Sequence, residues 1–133
     1  TVVLVHDAAR PLTPPQVTER VIDAVAGGAG AVIPVLPVTD TLKTVDAAGV
    51  VVGTPRRSDM VAVQTPQGFR WDVLIRAHEE GASLGADEAR AATDDAGLVE
   101  AIGGTVHTVA GDERSMKVTR PLDLALAQIL VAE

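Results

Sequence analysis

"VLVHDAARP", residues 3–11, decides how this chain is read. A run of β-branched and aliphatic residues ends at His6, and a carboxylate, two alanines, an arginine and a proline follow within five positions. Residues 2–5 have the composition of a fully buried strand, the kind a parallel sheet uses. Open α/β sheets bind their ligands beyond the carboxyl ends of the strands. Asp7 and Arg10 fall at that place.

The rest of the chain alternates in the same manner. Thr13 suits a helix cap, Pro14 the first helical position and Gln16 a capping box, with Val17, Val21, Ile22 and Val25 on one face and Gly27-Gly28 as the stop. "AVIPVLPV" (31–38) is a second apolar run whose two prolines predict an interrupted or edge strand. Residues 40–57 are too polar for a core. Two short strand-like runs flank Asp46-Ala-Ala-Gly49 there, which predicts a β-hairpin arm projecting from the body. "MVAVQTPQGF" (60–69) reads as a strand ending in a polar loop. Residues 71–80 have helical spacing, with Trp71, Leu74, Ile75 and His78 on one side. Residues 81–93 read as a mobile loop. Thr93 then caps a helix with Asp94 and Asp95 in its first turn, "TVHTVAG" and "MKVT" are strands, and Thr119 caps a final amphipathic helix. Strands alternating with helices, without a linker or repeat, predict one α/β domain over 1–133 with a mostly parallel sheet.

Composition narrows the chemistry. The 133 residues are 47% hydrophobic, with one Phe, one Trp and no Tyr, so the core is aliphatic. No cysteine is present, which removes disulfides, thiolate metal sites and cysteine nucleophiles, and fits a reducing compartment such as the cytoplasm. A net charge of −7 with few aromatics argues against a nucleic-acid surface. No apolar stretch approaches the roughly 18 residues a membrane helix needs.

Four polar clusters each follow an apolar run: "HDAARP", "PVTDTLK", "QTPQGF" and "GDERSMKVTRP". The three histidines have no metal-ligand spacing, and His78 and His107 read as packing residues. No G-x-S-x-G, G-x-G-x-x-G or G-x-x-x-x-G-K-[ST] occurs, so a serine hydrolase, a dinucleotide fold and a P-loop all lack their motif. What remains is one or two carboxylates suited to Mg²⁺, with Arg and Lys suited to phosphate.

"VHDAARP", "PVTDTLK", "VQTPQGF", "TDDAGLVEAIGGTVHTVAGD" and "MKVTRPLDL", in this order, resemble the 2-C-methyl-D-erythritol 4-phosphate cytidylyltransferase family over nearly the whole chain. The resemblance implies a Rossmann-like nucleotidyltransferase sheet with helices on both faces, and a homodimer joined through the 40–57 arm. It implies transfer of a cytidylyl group from CTP to the sugar phosphate, with Mg²⁺ as cofactor. By the same resemblance Asp7 sits near the metal and the acceptor hydroxyls, and Arg10 supports that pocket. Thr65 contacts substrate, Thr93 contacts the acceptor phosphate region, and Lys117 neutralises charge at the α-phosphate. Thr41 and Arg57 would complete the partner's site, Arg57 being chosen over Arg56 by counting back from "QTPQ". The family's glycine-rich nucleotide loop is expected before Thr1. Two other readings compete: a pentitol-phosphate cytidylyltransferase, such as one using ribitol 5-phosphate, and a non-catalytic dimerisation remnant.

Overall fold

The computed structural model describes residues 1–83 and 93–133. Its main sheet contains β1 (Val2–Val5), β2 (Ala31–Pro37), β5 (Val61–Val63), β6 (Gln67–Arg70) and β7 (Val106–Ala110). Strands β1, β2 and β7 run in one direction, and β5 and β6 run against them. The three like-directed strands are the parallel set expected from the sequence. Because β6 separates β1 from β2, the β2–β7 pairing is parallel and the other three are antiparallel.

Strand β2 is the centre of the sheet, not the edge that its prolines suggested. Its first residues, Ala31 and Val32, pair with β6, and Val35 to Pro37 pair with β5. Pro34 falls between the two partners, where a missing N–H breaks no ladder on that side. Its carbonyl still accepts from the Gln64 N–H at 2.9 Å. Residues 60–69 are accordingly two strands, joined through a cis Thr65-Pro66 bond, rather than one.

Helices cover both faces, as expected. Helix α1 (Pro15–Ala26) lays Val21 and Val25 against Val32. On the other face, α2 (Trp71–Ser83) and α3 (Asp95–Ala101) enclose Ala31 and Phe69 with Leu74, Ala77, Ala96 and Val99. Alternate residues of β2 thus face opposite sides, as strand geometry requires. Gly68 makes the α1 contact possible, since a Cβ there would overlap Val21.

Several local expectations are corrected. The first helix is capped by the backbone at Pro14, while the Thr13 hydroxyl donates to the Arg10 carbonyl at 3.1 Å. Ile22 and Trp71 are exposed. Strand β1 is half-exposed along Leu4 and Val5, because among the described residues it pairs only with β6. His78 bonds Asp95 at 2.7 Å and His107 is exposed, so neither is a packing residue. Residues 116–119 form no strand. Of the expected loop at 81–93, residues 81–83 belong to α2 and residues 84–92 lie outside the described residues.

The final helix, α4 (Pro121–Ala132), is capped at Arg120 instead of Thr119. Asp123 accepts from the Thr119 and Arg120 backbone N–H groups, and the Arg120 guanidinium beside it helps lower its carboxyl pKa to about 2. Rather than amphipathic, α4 is apolar all round and buries only Ala127.

The polar stretch 40–57 forms the expected hairpin. Strands β3 (Thr44–Val45) and β4 (Val51–Gly53) make a two-stranded sheet of their own. Asp46 Oδ1 accepts from the N–H groups of Ala48 and Val50, and Gly49 supplies the positive φ of 81° that closes the turn.

Candidate functional site

A cleft of about 410 Å³ opens beside the carboxyl end of β1. Asp7, Arg10, Thr65, Thr93 and Lys117 line it together, with Gln64, Gln67, Asp94 and Asp95. Residues from four separated segments therefore meet at one place.

The cleft is organised around Asp7. A backbone turn, closed by the Arg10 N–H on the Asp7 carbonyl at 3.0 Å, brings the two side chains together. Arg10 Nε reaches Asp7 Oδ2 at 3.3 Å, and Lys117 Nζ approaches the same oxygen at 3.4 Å. Arg10 is 13% exposed and also donates to the Ser115 carbonyl at 2.7 Å, so its guanidinium is held at both ends. Lys117 is about half exposed. Val118 N–H donates to the Ala9 carbonyl at 2.8 Å, which fastens the lysine segment to the β1 turn.

"QTPQ" ties the other segments to this centre. Thr65 Oγ1 accepts from the Asp7 N–H at 3.0 Å and lies 2.9 Å from His6 Nδ1. His6 Nε2 faces the Arg10 carbonyl at 3.2 Å. A carbonyl only accepts, so Nε2 donates there, and Nδ1 accepts a hydrogen bond from the Thr65 hydroxyl. Gln64 makes a two-bond pair with the backbone of Asp112: Nε2 donates to its carbonyl at 3.0 Å and Oε1 accepts its N–H at 3.1 Å. Gln67 reaches Asp94 and Ala96 in the same two-sided way. Thr93 itself precedes the cap, which is Asp94 and not Thr93 as expected.

Thr41 and Arg57 do not reach this cleft. Arg57 donates to the Thr39 carbonyl at 2.7 Å on the arm, and Arg56 pairs with Asp59 at 3.0 Å. Sequence reasoning missed Gln64, Gln67, His6 and the Asp94 cap. The available signal was the pair of glutamines around Thr65-Pro66, since an amide entering an apolar strand needs buried partners.

Among the described residues no group of three or more His, Asp or Glu side chains could hold a metal. Of the three carboxylates that line the cleft, Asp94 is committed to Gln67 and Gly97 and Asp95 to His78, while Asp7 meets the two cations through Oδ2. Mg²⁺ commonly binds one or two carboxylates and completes its shell with phosphate oxygens and water. Asp7 beside two cations, with Asp94 and Asp95 committed elsewhere, fits a metal that arrives with a nucleotide's phosphates, and does not fit a metal caged by protein alone.

An α/β sheet with a cleft at the carboxyl end of a strand, where Arg10 and Lys117 meet on Asp7, has the layout of a class of folds that bind small molecules at strand ends. The family model for IspD, 2-C-methyl-D-erythritol 4-phosphate cytidylyltransferase, matches residues 1–133, and the chain belongs to that family. It is 54% identical over 131 residues to the protein of that name from Rhodococcus jostii (strain RHA1), covering 98% of this chain and 55% of the relative. It is 58% identical over 132 residues to the one from Frankia casuarinae, covering 99% and 47%. The crystal structure of the Thermus thermophilus protein of the same name matches with a TM-score of 0.83 at 42% identity, covering 99% of this chain and 62% of that one. The chain thus spans about half the length of the curated relatives it matches.

Proposed function

We propose that the protein containing this chain transfers a cytidylyl group from CTP to 2-C-methyl-D-erythritol 4-phosphate, in isoprenoid precursor synthesis. The observation that carries this reading is the convergence of Asp7, Arg10, Thr65, Thr93 and Lys117 on one cleft. An acceptor phosphate oxygen attacks the α-phosphorus of CTP, the bond to the bridging oxygen breaks, and pyrophosphate leaves. The protein forms no covalent bond, so its work is positioning and charge stabilisation. Arg10, held by Asp7 and the Ser115 carbonyl, is preorganised to meet an anion without moving. Lys117 exchanges the Asp7 carboxylate for the charge that grows on the α-phosphate. Thr65, beside Asp7, and Thr93 orient the acceptor. Asp7 would hold Mg²⁺, which would supply charge neutralisation to the nucleotide phosphates when bound.

The acceptor and nucleotide sites are completed by parts of the protein beyond this chain and by a second subunit. An isolated two-stranded hairpin is marginal in water, and the arm exposes Val45, Val50, Val51 and Val52. Docking of that arm on a partner covers these residues and carries Thr41 and Arg57 away from their own cleft. A cysteine-free chain, in which no described helix is long and apolar enough to cross a membrane, is compatible with a cytoplasmic enzyme.

The test is to offer the full-length protein CTP with methylerythritol phosphate or with ribitol 5-phosphate, and to measure pyrophosphate release. Release with the branched acceptor and little with the pentitol supports the reading. Preference for ribitol 5-phosphate would replace it, and silence with both would leave a dimerisation remnant.

A further inference from the structure

Gln67 is only 3% exposed, so its amide has to find its hydrogen-bond partners inside the protein. Both ends do. Nε2 donates to Asp94 Oδ2 at 2.8 Å, and Oε1 accepts from the Ala96 N–H at 3.2 Å. The second oxygen of Asp94 accepts from the Gly97 N–H at 2.8 Å. One carboxylate is thereby gripped from two sides, by a strand on one and by the first turn of α3 on the other.

This grip ends at the cleft. Asp94 follows Thr93 directly, and both line the cavity. Gln67 also sits opposite Val5 in the β1–β6 register, two residues before Asp7. The wall that carries Thr93 is therefore referenced to the strand that carries Asp7. An apolar residue of similar volume could fill the space at 67, but it would leave Asp94 facing the interior with one oxygen unpaired. What the amide contributes is direction.

We infer that Gln67 is a positioning residue for acceptor binding: its amide fixes Asp94 and, through the adjoining backbone, Thr93. The inference rests on the proposed reading of this cleft as the acceptor site. Its effect falls on acceptor affinity and not on the chemical step, because Gln67 and Asp94 bond to each other and to the first turn of α3, while Arg10 and Lys117 meet on Asp7.

The hydrogen-bond pattern supplies its own test in the full-length protein. Gln67→Glu keeps the shape but sets a carboxylate against the Asp94 carboxylate, and Asp94→Asn sets one amide N–H₂ against another. Each single variant is expected to raise KM for methylerythritol phosphate about tenfold or more, with KM for CTP and kcat nearly unchanged. The double variant Gln67→Glu/Asp94→Asn exchanges donor and acceptor while preserving shape and total charge. It is expected to return KM to within about threefold of wild type, a coupling that independent sites do not give. A purely structural role would lower the thermal midpoint and the active fraction, scaling kcat and leaving both KM values in place. Should Gln67→Glu not fold, neutral Gln67→Met carries the same test of the single change. Unchanged acceptor KM in the single variants, or no recovery in the double, overturns the inference. An inactive wild-type protein would overturn the functional reading and this inference with it. An active one with indifferent variants overturns only the role of Gln67.

Discussion

Lys117 Nζ lies 3.4 Å from Asp7 Oδ2, and this contact joins the carboxyl end of β1 to the segment before α4. Arg10 Nε approaches the same oxygen at 3.3 Å. One carboxylate oxygen meets two cations, and all three residues line the cleft. Both side chains of the Asp7–Lys117 pair are more than a third exposed, so solvent screening keeps the pair to about 1 kcal/mol of stability or less. Its importance lies in where it parks the lysine.

Asp7→Asn in the full-length protein is expected to keep the fold and weaken Mg²⁺-dependent turnover. The change removes a hard anionic ligand and releases both cations from their common anchor. Turnover is measured across a Mg²⁺ titration, with circular dichroism as the control for folding. Wild-type activity at every Mg²⁺ concentration would reduce Asp7 to an ion-pair partner.

Ser115→Ala is expected to leave stability unchanged or raise it by about 1 kcal/mol, read as a thermal midpoint. The serine is fully buried, and its hydroxyl has no hydrogen-bond partner among the described residues. The part of Ser115 that serves the cleft is its carbonyl, which alanine keeps for Arg10. A loss of several kcal/mol would reveal a partner for the hydroxyl elsewhere in the protein.

Much of this arrangement was legible in the sequence, and the exceptions have physical causes. Polar clusters at the ends of apolar runs located Asp7, Arg10, Thr65 and Lys117, because strand period and strand ends are local properties. Local rules misjudged β2: Pro34 forbids pairing at one residue, and only the tertiary register places that residue between two partner strands. Thr93 and Asp94 are both competent caps, and Asp94, which takes the role, also bonds Gln67, which is distant in the chain. The "PVTDTLK" cluster looked like the others, yet the chain leads it onto the arm instead of into the cleft. Partner choice across long sequence separations is the common element in what was missed.

The arm gives a test of subunit sharing. If Thr41 and Arg57 serve the partner's cleft, full-length Lys117→Ala and Arg57→Ala homodimers should each be nearly inactive. Mixing equal pools yields about half mixed dimers by binomial assortment, each with one site carrying both defects and one carrying neither. About a quarter of wild-type sites should then reappear in the activity assay. No recovery, with subunit exchange verified, would show that the arm acts on its own chain.

The central claim, that the Asp7–Lys117 cleft is where cytidylyl transfer occurs, is tested most directly by steady-state kinetics of full-length Lys117→Ala with CTP and methylerythritol phosphate. A donor that meets charge developing in the transition state is typically worth about 10²- to 10³-fold in kcat. The expected result is a kcat lowered by that factor with both KM values little changed, and incomplete recovery in Lys117→Arg, whose planar fork replaces a compact charge. A kcat equal to wild type, with only the thermal midpoint altered, would contradict the account.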